Sequence, residues 1–255
     1  MYAEERQQAM AELVTRRGRV SVVELAQTFE VTTETVRRDL STLEALNLIR
    51  RVHGGALPPE SVTLLETRLS ERDLAKTEEK NRIAECAALF VPKHESTLII
   101  DAGSTTVRLA ELLPREFRCT VFTHAVPVAS RLADLPHVEL HLLPGRVRRR
   151  TLAAVGVDTV QALSRIRADV AFVGTNGISA SHGLSTPDHE EAATKAAIVA
   201  AAERVVVLCD SSKIGVDRTM QFAKLTDIDV LVTDADITDE QRAQIEAAHV
   251  EVVVA

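Results

Sequence analysis

Tryptophan is absent from this 255-residue chain and tyrosine occurs once, which excludes no fold class because the apolar fraction, 45%, is ordinary for a globular protein. Cysteine is scarce: Cys86, Cys119 and Cys209 are odd in number, far apart and embedded in apolar runs. That pattern argues against a disulfide framework and lacks the close ligand spacing of a zinc site, so buried free thiols in a reducing cytoplasm are expected. No uninterrupted apolar stretch reaches the roughly 18 residues a membrane span needs, and no basic start leads into an apolar run. A soluble, cytoplasmic chain without membrane contact, metal or cofactor is therefore expected. A positive balance is also lacking, since the net charge is −7.

The charge is unevenly spread. Residues 1–57 hold eight arginines, no lysine and eight acidic residues, so that part is neutral; the remaining 22 basic and 29 acidic residues carry the whole −7. A neutral segment grips a polyanion only if its arginines gather on one face, and four of the eight form two pairs, Arg37/Arg38 and Arg50/Arg51.

What is present begins with helical periodicity. Ala9, Met10, Leu13 and Val14 mark a helix over Glu4–Arg17, which Gly18 stops. Ser21 is an N-cap with Glu24 three residues on, the spacing of a capping box, and the next helix turns Leu25, Ala26 and Phe29 inward. After the Glu30-Val31 turn, Thr32 caps a third helix through Leu43, with Val36, Leu40 and Leu43 on one side. Thr33, Thr35, Arg37, Arg38 and Ser41 are left outward. Short hydroxyls at a helix start with arginines a turn later suit phosphate and base-edge contacts. Asn47 ends the helical run. Leu48–Val52 then reads as a strand and His53-Gly54-Gly55 as a sharp turn. Two helices, a tight turn and a basic hairpin form a winged helix-turn-helix, whose second helix normally enters a DNA groove. The bland alternative is a partner-binding module with solvated arginines.

Leu57-Pro58-Pro59-Glu60 breaks regular structure, and no clean period returns before a helix at Glu78–Phe90. Three segments result: a DNA-binding domain over 1–57, a linker over 58–77 and an α/β domain over 78–255. In the last, apolar runs at Thr97–Asp101, Cys119–Thr123, Val138–Leu143, Val170–Gly174, Val205–Asp210, Val230–Thr233 and Glu251–Val254 read as strands. Helical runs separate most of them, at Thr105–Leu113, Val126–Ala133, Ala154–Ser164, Glu190–Ala202 and Asp239–Ala248. Strands apolar without alternation are buried on both faces, so a mostly parallel sheet with helices on both sides is expected, with ligands beyond its C-terminal strand ends.

The polar residues of interest fall at those ends. Asp101-Ala102-Gly103-Ser104-Thr105-Thr106 offers hydroxyls and free amides at a helix start, either a cradle for phosphate or sugar oxygens or an ordinary capped turn. His124 is a ligand contact or a plain loop histidine. Arg146, with Arg148, Arg149 and Arg150, is an anion-neutralising cluster or a solvated charge run. Gly174 and Gly177 close another strand. Glu191, Lys195, Asp210 and Lys213 combine ammonium groups for phosphate with carboxylates for hydroxyls. The same set suits proton transfer between adjacent carbons.

The motifs TETVRRDLSTLEALNLIRRVHGGA (33–56), DAGSTT (101–106), GTNGISASHGLSTPDHEEAATK (174–195) and DSSK (210–213) together resemble the deoxyribose-operon-repressor family, DeoR, over nearly the whole chain. The resemblance implies a bacterial transcription regulator, not an enzyme. Such a protein represses a sugar or polyol catabolic operon, with a larger domain similar to ribose-5-phosphate isomerase that binds a phosphorylated sugar and so releases the protein from DNA. It implies double-stranded operator DNA as partner, a homodimer or homotetramer, and a phosphosugar such as fructose 1-phosphate as effector. The DNA-contacting set becomes Thr32, Thr33, Thr35, Arg37, Arg38, Ser41, Arg50, Arg51 and His53. The effector pocket maps onto Asp101, Gly103, Ser104, Thr105 and Thr106, with Gly174, Gly177, Glu191, Lys195, Asp210 and Lys213 opposite. His124, where many relatives have Asn, and Arg146, where they have the second glycine of a pair, depart from the pattern and border the pocket. A sugar-phosphate isomerase with an accessory head is the alternative from the carboxylate and lysine set; a sugar-phosphate binder whose head contacts another protein is a third.

Overall fold

The computed structural model describes residues 3–17, 20–46, 48–52, 54–57, 69–116 and 118–255. Gly18, Asn47, His53 and the Pro58–Glu60 breaker lie outside the described residues, as does the Arg50 side chain. The chain divides into two compact units, Met1–Val62 and Thr63–Ala255.

The first unit contains α1 (Ala3–Arg17), β1 (Val20–Ser21), α2 (Val22–Thr28), α3 (Thr33–Ala45), β2 (Arg50–Val52) and β3 (Gly55–Leu57). Ser21 and Thr32 cap α2 and α3, their hydroxyls accepting from the Glu24 and Thr35 amides. The second half of the Ser21 capping box is not made, because the Glu24 carboxylate pairs with Arg17. Met10, Val14, Leu25, Val36, Leu40, Leu43 and Ile49 form the core. The strands pair antiparallel in the order β1-β3-β2. Gly55 permits it: a Cβ there would sit 2.3 Å from the Val20 carbonyl oxygen.

One charged group lies inside this core. Asp39 on α3 is buried and accepts from Arg6 Nε at 2.7 Å and Gln7 Nε2 at 2.8 Å, fastening α1 to α3.

The second unit runs α4 (Leu69–Leu74), α5 (Thr77–Ala88), β4 (Ser96–Ile100), α6 (Ser104–Glu111), β5 (Cys119–Thr123), α7 (Val126–Leu132), β6 (Val138–Leu142), β7 (Arg146–Arg148) and β8 (Ala153–Val155). It continues with α8 (Val157–Leu163), β9 (Ala168–Gly174), β10 (Gly177–Ser179), β11 (Gly183–Thr186), α9 (His189–Ala201), β12 (Ala202–Leu208), β13 (Met220–Ala223), β14 (Val230–Thr233), α10 (Asp239–Glu246) and β15 (Glu251–Val254). The main sheet has seven parallel strands in the order β15-β14-β12-β9-β4-β5-β6. Successive residues of each strand feed opposite faces. Leu98, Ile100, Val170 and Phe172 pack with residues of α5, α6 and α7, whereas Ile99, Ala171, Val173 and Val207 pack with residues of α8, α9 and α10. Among the described residues no helix is long and apolar enough to cross a membrane.

Two local expectations are corrected, and residues 69–74, inside the segment read as linker, form α4. The helix expected from Ala154 starts at Val157, because Ala153–Val155 pairs with Arg146–Arg148 as a hairpin. A small antiparallel sheet, β10-β11-β13, is added outside the main one.

The order in which the strands are laid down fixes where a crevice can open. From β4 the sheet grows outward through β5 and β6, then returns to β9 on the other side of β4 and grows the opposite way. The crevice beyond the tips of β4 and β9 is thus the point where the topology reverses, where such sheets bind ligands. For the first unit, Asp39→Ala is expected to cost about 1–3 kcal/mol by stranding Arg6 and Gln7. Urea unfolding of the variant, followed by circular dichroism, measures it; an unchanged transition would show the contact to be dispensable.

Candidate functional site

In the first unit α3 presents Thr33, Arg37, Arg38 and Ser41 to solvent. Thr32 and Thr35 are less available, since their hydroxyls lie 2.9 Å apart and Thr32 also caps the helix. Arg37 makes an exposed 3.2 Å pair with Glu34, which water and salt weaken readily. Arg38 has no side-chain partner among the described residues. The Arg51 amide donates to Glu44 Oε1 at 2.9 Å, and its guanidinium donates to Ser41 Oγ at 2.6 Å. The hairpin arginine is therefore docked on α3, and a groove lined by Val22, Thr33, Arg37, Arg51, Gly54 and Gly55 runs between them.

In the second unit the reversal point of the sheet is pinned by a buried carboxylate. Asp101, immediately after β4, is fully buried. Its Oδ2 accepts the Gly174 amide at the tip of β9 at 2.9 Å and contacts the Lys195 ammonium, which also donates to the Gly174 carbonyl at 2.8 Å. Its Oδ1 lies 2.9 Å from His124 Nε2. That ring is clamped from the other side by Nδ1 donating to the Ala154 carbonyl at 2.7 Å. Burial opposes ionisation of Asp101, but the Lys195 ammonium and the His124 ring overcome it and hold the carboxyl well below the usual carboxylate range.

Above this floor lies a cavity of about 230 Å³. Gly103, Ser104, Thr105 and Thr106 line one part of it. They are the N-cap and first turn of α6, where no side-chain cap is made among the described residues, so its free amides are available to an anion. Gly174, Glu191, Lys195, Asp210 and Lys213 also line it. Of the cations here, Lys195 is committed to Asp101. Lys213 has no partner for its ammonium among the described residues, and the Nε of Arg72 is buried without an acceptor. The buried Thr151 hydroxyl on the wall is likewise unpartnered among the described residues.

Some expected residues stand elsewhere. Arg146 is exposed, pairs with Glu190 and is not part of the lining. Gly177 is there for packing, since a Cβ would lie 2.2 Å from the Val216 carbonyl oxygen. His124 sits behind Asp101 and not on the wall. From the basic cluster it is Arg148 that reaches the site, 2.5 Å from Glu191 and 3.1 Å from Asp188.

Sequence periodicity also passes over Lys80. On α5 the buried residues are Lys80, Ile83, Ala84 and Ala87, so a lysine heads an otherwise apolar stripe, and that anomaly was the available signal. Its ammonium donates to the Arg72 carbonyl and, at 2.5 Å, to the Ala75 carbonyl, holding the end of α4 against the cavity. Burial pushes the ammonium down to about 8, against the pull of Asp210.

Residues 75–235 match the family model described as the DeoR C terminal sensor domain, and residues 6–62 that of the DeoR-like helix-turn-helix domain. The HTH-type transcriptional regulator GlpR of Haloferax volcanii is 35% identical, over 99% of this chain and 98% of its own. The glycerol-3-phosphate regulon repressor of Escherichia coli is 34% identical, over 91% of this chain and 90% of its own. Among solved structures, ribose 5-phosphate isomerase A of Methanocaldococcus jannaschii overlaps 55% of each chain with a TM-score of 0.41 and 16% identity.

The stability supplied by ionised Asp101 is complete above the ordinary aspartate value of about 4 and is lost only as pH falls below it. Removing its cation by Lys195→Met is expected to cost about 3–5 kcal/mol, and adding Asp101→Asn to that variant to restore much of the loss. Denaturant titration of both proteins checks this; a second substitution that adds to the first would refute the coupling.

Proposed function

The chain belongs to the DeoR family of helix-turn-helix regulators, and on that premise we propose that it is a sequence-specific repressor of a sugar or polyol catabolic operon, released from DNA by a phosphorylated sugar. The single observation that carries the effector half is the cavity at the reversal point. An uncapped helix start, the Lys213 ammonium, the buried Arg72 Nε and the Lys80 ammonium converge there, beside the Glu191 and Asp210 carboxylates. Amides and cations take the phosphate; carboxylates and the Thr151 hydroxyl take sugar hydroxyls.

On the DNA side, α3 enters the major groove with Arg37 and Arg38 toward base edges and phosphates, and Arg51 toward the flanking backbone. Two heads of an oligomer read half-sites roughly 34 Å apart. With a neutral head there is little non-specific attraction in reserve, so a coupling of about 1–3 kcal/mol suffices to clear the operator. The route for that coupling is α4. It is the first described element after the head, it supplies Arg72 to the cavity wall, and Lys80 grips its last carbonyls. An anion that draws on Lys80 and Arg72 acts directly on the segment leading back to the DNA-binding unit.

Fructose 1-phosphate is the first effector to test, within a thermal-shift panel of sugar and polyol phosphates followed by operator release. Because the Lys80 ammonium loses its proton near pH 8, affinity for the phosphosugar should fall as pH rises through that value, and Lys80→Met should flatten the dependence. Calorimetric titration from pH 7 to 9 reads it; identical profiles for both proteins would remove Lys80 from the site. Arg38→Ala should cost on the order of 1–3 kcal/mol of specific binding. Fluorescence anisotropy should then show a larger loss on operator than on scrambled DNA, whereas equal losses would reduce Arg38 to a phosphate contact.

A further inference from the structure

At one border of the seven-stranded sheet, β6 (VELHL) pairs with β5 on one side and with no strand among the described residues on the other. The Leu143 amide donates to the Thr123 carbonyl at 2.8 Å and the Cys119 amide to the His137 carbonyl at 3.1 Å, so odd-numbered residues turn their backbone groups toward β5. Alternation directs those of Val138, Leu140 and Leu142 outward. Such a row is a template for another strand unless something blunts it. β6 has no proline, lysine or bulge, Pro136 and Pro144 merely bracket it, and its one carboxylate, Glu139, lies 3.1 Å from His141 of the same strand.

The side chains specify which strand fits. Glu139 and His141 share one exposed face, with His141 Nε2 3.1 Å from Glu139 Oε1 and the imidazole stacked on Phe122 at 4.6 Å between ring centroids. On the other face Leu142 is 55% exposed. An antiparallel copy of the same strand centred on Leu140 sets Glu139 of each chain opposite His141 of the other, and Val138 opposite Leu142. In-register parallel pairing would instead oppose glutamate to glutamate, which is unfavourable. The opposite border lacks this property. Antiparallel self-pairing of β15 places the Glu251 carboxylate, already held by Arg204 at 3.5 Å, against Val254.

We propose that β6 is a self-association edge, through which two copies of this chain join their sheets in one antiparallel seam about a two-fold axis. The pairing is isologous, as closed two-fold assemblies require. The Val138 amide is already spent on the Leu135 carbonyl at 3.1 Å, which leaves about four backbone hydrogen bonds across the seam. The alternating carboxylates and imidazoles fix its register. The seam involves neither the cavity nor the DNA-binding unit, so it stands or falls independently of the proposed effector.

Sedimentation velocity of the full chain over a range of micromolar concentrations tests it, with His141→Glu and the reversed pair Glu139→Lys/His141→Glu. The single variant opposes carboxylates across the seam and should lower the assembly by one twofold step, weakening association by at least about tenfold. The double variant sets lysine opposite glutamate across the seam and should recover most of it, with thermal melts showing both folded. A monomeric wild-type protein, a single variant of unchanged mass, or equal weakening in both variants would overturn the proposal.

Discussion

The buried carboxylate of Asp101 stands where the parallel sheet reverses its direction of growth, and the architecture around the cavity hangs on it. Ionised and without solvent, such a group is tolerated only when it is paired with a cation and hydrogen-bonded. Here β9 answers with the Gly174 amide, α9 with the Lys195 ammonium and the end of β5 with His124. Segments distant in sequence are thereby held to one point. The same requirement explains why Lys195, although it lines the cavity, is a strut more than a free hook for an anion. It also sets Asp101 apart from a general base, whose carboxylate would have to be free to take a proton.

Charge acts locally in this molecule. The overall balance of −7 describes neither the arginine-bearing face of α3 nor the cavity, where the Lys80 and Lys213 ammoniums stand beside the first turn of α6. Burial makes Lys80 responsive, because an ammonium that desolvation has pushed toward neutrality gains most from an incoming anion. In the proposed reading, its grip on the carbonyls of Arg72 and Ala75 would give ligand binding and the position of α4 a shared cause. That sharing is the physical content of coupling between two sites: one element whose energy both can change.

How much of the molecule is legible in its sequence depends on the range of the interactions. The strands Cys119–Thr123, Val230–Thr233 and Glu251–Val254 were readable to the residue, since a run of β-branched and aromatic side chains bounded by polar residues is a local signal. The two hydroxyl caps at Ser21 and Thr32 were equally local. The β7–β8 hairpin was not, because Ala153–Val155 reads as the start of a helix until Arg146–Arg148 pairs with it. Asp39 and Lys80 escaped notice because each occupies an apolar stripe, and periodicity has no way to announce that a charge there has found its partner. Arg146 and Arg148 were indistinguishable as members of one basic run. Their difference, one solvated and the other on Glu191, arises only from the turn of the hairpin.

From the sequence alone come the order and kind of elements, the division of charge along the chain, the polar clusters at strand ends and the family likeness, all properties of neighbours within a few turns. The tertiary structure alone decided which of those polar groups are already spent. Ammonium and carboxylate groups pair wherever folding removes water from between them. Lys195 therefore went to Asp101, while Lys213 and the first turn of α6 were left open toward the cavity.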